Sequence, residues 1–392
     1  MVGRPGDRGG NTVVEIFEPE AVGLDPDKVD ALVTRVRREV DEGTLPSCQI
    51  ALARHGRVGV AATFGAPEGS RYVIFSATKP VVATAVWMQI DEGLLRLDDR
   101  ISDHIPEFAS NGKDVITLEQ VLLHTSGFPH APLSAPDWDT RESRVAKFGS
   151  WRLSWEPGSR FEYHATSAHW VLAELIARTS GLDHREFIRQ RIIEPLGLQR
   201  FRLGVPAEEQ HDINDLATVG TEITPEEFKA ALGFDMPPPT EVTPAALLGF
   251  NIAEVRALGV PGGGGVSDAA DLAMFYQALL AGAEGLLSPE ALHMMTSEVR
   301  NHFPTDLGVP ANRALGTVVA GADGNAAMRG LGRTVSARAF GHNGAAGQIA
   351  WGDPETGLSF VYLTNGVELN VLREARRGVA IASRAGECAL PA

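Results

Sequence analysis

Ser76 and Lys79 stand three residues apart, where the β-prone run Tyr72 to Phe75 gives way to the helical run Val81 to Ile90. Residues at that spacing share one face of a helix, so the amine can approach the hydroxyl. The helix N-terminus adds positive potential, which disfavours the protonated amine. A serine beside a lysine that can take up a proton is a nucleophile for acyl transfer. The same residues also suit an ordinary helix-start serine with a solvated lysine. Ser110-Asn111-Gly112-Lys113 repeats the spacing but falls in a polar Asn-Gly turn, so context separates the two.

The elements around Ser76 follow from periodicity. Val29, Leu32, Val33, Val36 and Val40 recur at helical spacing between Asp25 and Glu42, with Asp25 before Pro26 as the cap. Cys48 to Val60 reads as a hairpin turning at His55-Gly56. Helical patterns broken by Pro and Gly cover 76–92, 117–123, 165–180, 183–194 and 268–281, with irregular stretches at 128–160 and 200–260. Strands return at Gln348 to Trp351 and Leu358 to Thr364 around a DPETG turn, and a helix over about 367–384 closes the chain. Strands at both ends with helices between predict an α+β fold, an α/β sandwich in which one antiparallel sheet is flanked by helices and a mainly helical domain is inserted. The division expected is a loose arm over 1–20, a sheet domain from 21–75 and about 285–392, and a mainly helical domain over 76–284 with irregular insertions lining a cleft.

Composition narrows the partners. The 392 residues are 44% hydrophobic and 22% charged, as in ordinary globular proteins, and long enough for one large domain or two smaller ones. Fifty acidic against 35 basic residues leave a net charge of -15, which repels nucleic acid and anionic lipid. A small neutral or cationic substrate fits better. Cys48 and Cys388, the only cysteines, form neither a disulfide framework nor a metal cluster, and no metal or cofactor is called for. The glycine-rich, charged N-terminus lacks a signal-peptide core and no run of about 18 apolar residues occurs, so a cytoplasmic location away from membranes is expected. The run Gly262 to Gly265 lacks the third glycine and the lysine of a phosphate cradle, and neither G-x-S-x-G nor H-E-x-x-H occurs.

Further segments carry a resemblance. Ser76-Ala77-Thr78-Lys79, Leu95 to Asp99, Leu122-Leu123-His124-Thr125-Ser126-Gly127, Pro157-Gly158 before Phe161-Glu162-Tyr163, Gly262 to Gly265 leading into Asp271-Leu272, and Gly341-His342-Asn343-Gly344 occur in order from about residue 20 to 385. Together they resemble the serine β-lactamase and penicillin-binding-protein-like superfamily, and within it the class C-related, family VIII-type carboxylesterase branch. The resemblance implies Ser76 as the acylated nucleophile, Lys79 as its base and Tyr163 as the residue that shares protons with both. It also implies an oxyanion hole from the backbone N–H groups of Ser76 and Ala345, and a substrate strand at His342, Asn343 and Gly344.

The departures steer the substrate. Ala165 stands where the family usually has the Asn that clamps a substrate amide, and His342 and Asn343 replace a Lys and a Thr. A neutral His attracts anions weakly, so an uncharged ester is expected over a carboxylate-bearing lactam. Trp351 is either an acyl-pocket wall or a core residue; His124 is expected to cap or turn the chain. The expected activity is that of a carboxylesterase. An acyltransferase of secondary metabolism, an amidase, β-lactamase or D-amino-acid peptidase, and a non-catalytic binding protein are its rivals.

Overall fold

The computed structural model describes residues 14–236 and 241–391. Most of the expected arm, residues 1–13, lies outside them. From there on the chain is not loose: the Phe17 N–H donates to the Val58 carbonyl (2.9 Å) and Ile16 bridges Val58.

Helix α1 (Pro26–Asp41) starts where the Asp25 carboxylate accepts the N–H groups of Asp27 (3.0 Å) and Lys28 (3.2 Å), a cap worth about 1 kcal/mol. Strands β1 (Cys48–Arg54) and β2 (Arg57–Phe64) form the hairpin, with His55 and Gly56 both at positive φ as a tight two-residue turn requires. There follow α2 (Lys79–Asp91), α3 (Leu118–Leu122), α4 (Ser167–Ser180) and α5 (Ala269–Leu280), then β3 (Val318–Val319), β4 (Phe340–Gly341), β5 (Ile349–Asp353), β6 (Leu358–Thr364) and α6 (Val371–Gly386). The last helix begins later than periodicity predicts because Gly366–Glu368 pairs as a strand with Ala217–Val219, and Asn370 then caps the helix.

The two ends of the chain build one sheet in the order β2-β1-β6-β5-β4-β3, every neighbouring pair antiparallel, with Cys48 opposite Thr364 and Arg54 opposite Leu358. Alternation along the strands divides the core. Ile50, Leu52, Phe360 and Tyr362 meet Leu32 and Val36 of α1 and Ile381 and Ala385 of α6. Ala51, Ala53, Val361 and Leu363 face the other way, into the cluster that holds α2, α4 and α5. Burial of each large side chain stabilises the fold by about 1.5–3 kcal/mol.

Helix α2 is buried all round from Lys79 to Gln89, as expected of a helix enclosed by others. Its N-terminus emerges between sheet and helices. The expected irregular stretches hold helices of their own, Arg141–Ser150, Pro225–Leu232, Pro244–Leu248 and Ala253–Leu258, the first three capped by Thr140, Thr224 and Thr243. The helix expected over 183–194 is interrupted by a wider π turn at Arg189–Ile193. Among the described residues no helix is long and apolar enough to cross a membrane.

Candidate active site

Ser76 sits in the 3-10 turn Phe75–Thr78 that feeds α2, and is the half-buried residue of an otherwise buried run. Phe75 before it has φ 45, a left-handed conformation a bulky residue holds only under constraint. The constraint is visible: the Thr78 hydroxyl donates to the Phe75 carbonyl (2.6 Å) and accepts the Gly265 N–H (3.0 Å), while the Ile74 N–H donates to the Gly265 carbonyl (2.9 Å). The turn therefore hangs on the strand Gly265–Ser267, which pairs with Tyr72–Val73.

Lys79 is 2% exposed, and burial pulls its amine below the ordinary lysine range. Its Nζ lies 3.1 Å from the Ser76 Oγ and donates to the carbonyls of Ala165 (2.7 Å) and Gly262 (2.6 Å). A neutral amine has two hydrogens and one lone pair. With both hydrogens on carbonyls, the lone pair is left for the serine hydroxyl. The glycine run thus serves Lys79: a Cβ on Gly262 would stand 2.8 Å from the Ala165 oxygen and 3.4 Å from the Lys79 Nζ.

The Tyr163 hydroxyl donates to the Ser76 Oγ at 2.8 Å, and the Lys79 Nζ lies 5.0 Å from the centre of the same ring. Two histidines brace this tyrosine. His164 donates from Nδ1 to the Glu162 carbonyl (2.7 Å) and accepts the Phe128 N–H at Nε2 (3.1 Å). His124, at φ 56, accepts the His164 N–H at Nδ1 (3.2 Å) and the Glu162 N–H at its carbonyl (3.3 Å). His124 thus makes a turn, as expected, and also holds the backbone on both sides of Tyr163. Burial keeps both imidazoles neutral, pulling His164 down to about 3.

Across the cleft, a Cβ on Gly344 would stand 2.2 Å from the Ile74 carbonyl oxygen, so only glycine lets this segment, which follows β4, lie against the Ser76 turn. Ala345 and Ala346 pack with Phe75. The backbone N–H groups of Ser76 and Ala345 have no acceptor among the described residues. One expected substrate contact, Trp351, is corrected here, and Asn343 has partners of its own. The Asn343 side chain is engaged, donating to the Gly330 carbonyl (2.8 Å) and accepting the Ala350 N–H (3.3 Å). Trp351 is fully buried on the sheet face that carries α1 and α6, 5.5 Å from the Phe360 ring, because its position on β5 points it away from Ser76. Ala165 contributes its carbonyl to Lys79 and no side-chain clamp.

Arg313 lies outside every motif, and no spacing or periodicity marks it. Its guanidinium lies 5.2 Å from the Tyr163 ring centre and 5.5 Å from that of Phe161. One nitrogen is 3.3 Å from the His342 Nε2. The His342 Nδ1 donates to the Asn343 carbonyl (2.9 Å), so Nε2 is the unprotonated nitrogen and accepts from Arg313. The corner expected to lack a cation therefore has one, brought from elsewhere in the chain. Glu241, also unmarked in sequence, accepts from the Thr166 hydroxyl at 3.4 Å.

The repeated Ser-x-x-Lys differs in structure as well as context. The Lys113 Nζ donates to the Ser110 and Trp151 carbonyls, but the Ser110 hydroxyl donates to the Gly149 carbonyl and has no tyrosine beside it. Among the described residues no group of three or more side chains could hold a metal ion.

Comparison with known proteins gives a consistent picture. The Beta-lactamase family profile matches residues 32–383. "Esterase/beta-lactamase LipL" of Mycobacterium tuberculosis is 29% identical over 313 residues, covering 75% of this chain and 68% of its own. Among solved structures, a penicillin-binding protein homologue from Caulobacter crescentus superposes with a TM-score of 0.74 at 28% identity, over 93% of this chain and 98% of its own. A family VIII carboxylesterase superposes with a TM-score of 0.72 at 23% identity, over 91% and 96%.

Proposed function

The chain belongs to the Beta-lactamase family, and from that premise we propose that it is a carboxylesterase that works through an acyl-enzyme on Ser76. The observation that carries this reading is the pair of contacts on one oxygen: the Ser76 Oγ has the Lys79 amine at 3.1 Å and the Tyr163 hydroxyl at 2.8 Å. Lys79 takes the serine proton as Oγ attacks the ester carbonyl. The N–H groups of Ser76 and Ala345 receive the charge that develops on the carbonyl oxygen, a contribution of about 10²–10³ in rate per donor. Tyr163 hands its proton to the departing alkoxide and regains one from Lys79. Water then attacks the acyl-enzyme and regenerates the serine. General acid–base catalysis of this kind contributes about 10²–10⁴.

Ester over amide is supported by Ala165, which offers no side-chain amide to hold a substrate amide. The test is intact-protein mass after mixing wild type and Ser76→Ala with a short-chain p-nitrophenyl ester, with nitrophenol release followed in the same tube. An acyl adduct or turnover that depends on Ser76 is expected. Turnover retained by a folded Ser76→Ala would overturn the assignment.

A further inference from the structure

The backbone of Arg313 is fixed at both its N–H and its carbonyl. Its N–H donates to the Asn301 carbonyl (3.1 Å), and its own carbonyl accepts from the N–H groups of Arg300 (2.9 Å) and Asn301 (3.2 Å). The Asn301 side chain donates in turn to the Leu123 carbonyl (2.9 Å), the residue before His124. The stretch carrying Arg313 is thus tied to the turn that braces Tyr163.

What surrounds the guanidinium is unusual for a group so placed. Among the described residues it forms no ion pair, its neighbours being the rings of Phe161 and Tyr163 and the unprotonated nitrogen of His342. The Lys79 amine lies near the same Tyr163 ring, 5.0 Å from its centre against 5.2 Å for the Arg313 guanidinium. Both line a cavity of about 10 Å³ together with His124, His169 and His342, and no carboxylate lines it.

The other groups that bear on Lys79 are few. His124 follows α3, His169 lies on α4, and His342 follows β4; burial keeps all three neutral. Burial is the largest influence that lowers the Lys79 amine; Tyr163 and Glu241 favour the charged form, and Arg313 adds to the effect of burial by opposing it. Arg313 is therefore the one permanent positive charge among the groups that act on Lys79.

We propose that Arg313 is a positioning residue for acylation, supplying from position 313 the fixed positive charge that His342 does not carry, so that its field holds the Lys79 nitrogen as a free amine when Ser76 must lose its proton. This inference rests on the acyl-enzyme reading above. The physical basis is repulsion between like charges in a partly buried site, where water screens less than in bulk. No bond is made or broken by Arg313 itself.

The experiment is the pH profile of the acylation burst with p-nitrophenyl acetate, a neutral ester, for wild type, Arg313→Met, Arg313→Lys and the double variant Arg313→Met with His342→Lys. A Ser76-dependent acyl adduct or release of nitrophenol in wild type comes first; the absence of both would remove the acyl-enzyme reading itself, before any Arg313 variant is compared. With either present, Arg313→Met is expected to move the acid limb to higher pH by roughly one unit, because Lys79 then protonates more readily. Arg313→Lys should keep the limb near the wild-type position. Restoring a cation at 342 should bring it back in the double variant. Slower acylation at every pH with an unmoved limb would assign Arg313 to structure and overturn the proposal. So would a loss confined to KM for carboxylate-bearing esters, which would assign it to substrate recognition. Arg313→Gln answers the same question if Arg313→Met does not fold.

Discussion

The Lys79 Nζ lies 2.6 Å from the carbonyl oxygen of Gly262, a residue 183 positions further along the chain. That contact gives the glycine run its purpose. A run that looks like a failed phosphate cradle is instead the backbone clamp on a lysine amine, and its lack of side chains is what admits the close approach.

Gly262→Ala tests this clamp. The new Cβ would meet the Ala165 oxygen at 2.8 Å and crowd Lys79. Displacement of the amine by a fraction of an ångström should lower kcat by about 10–100-fold. Overpacking should cost about 1–3 kcal/mol in a denaturant titration. Unchanged kcat in the folded variant would show that turnover does not depend on the clamp around the Lys79 amine.

Tyr163→Phe keeps the ring that covers Lys79 and removes the hydroxyl 2.8 Å from Ser76. Turnover of a p-nitrophenyl ester should fall by about 10²–10⁴, with the unfolding free energy changed by about 1 kcal/mol at most. Undiminished turnover would restrict this tyrosine to packing.

Burial of Lys79 has a signature in stability as well as rate. Its amine titrates below 10.5 in the folded chain, so between 10.5 and that lower value the unfolded chain binds a proton the folded one does not. Stability at this position is therefore fully present above 10.5 and is lost as the pH falls. Relative to Lys79→Met, wild type should gain stability as the pH rises from 7 towards 10.5, at up to about 1.4 kcal/mol per unit. Paired urea titrations would read the slope. A difference that does not vary with pH would contradict the buried neutral amine.

Trp351→Ala separates core from pocket. Trp351 is buried against Phe360 under α1 and α6. Its truncation should cost about 3–5 kcal/mol while leaving the preference among p-nitrophenyl esters of different acyl length unchanged. A shift in that preference without loss of stability would return Trp351 to the acyl pocket.

Local spacing made part of this molecule legible before any coordinates. Asp25-Pro26 set the start of α1, His55-Gly56 set the hairpin, and Ser76 and Lys79 share a helix face because each choice depends on residues a few positions apart. The antiparallel sheet built from the two chain ends followed from patterns of the same short range. Tyr163 was reachable only through the resemblance, since 87 residues separate it from Ser76.

Tertiary structure decided the rest. Which sheet face Trp351 joins depends on how β5 pairs with β6, and one residue of register would reverse it. The engagement of Asn343 depends on Gly330 and Ala350 arriving beside it. Arg313 enters the site through bonds to Asn301, whose side chain reaches the turn before His124, and nothing in its own neighbourhood of sequence records that route. Short-range chemistry set Ser76 and Lys79 three residues apart on one helix face, whereas the charges around them act through space, and only the folded chain sets the distances on which such forces depend.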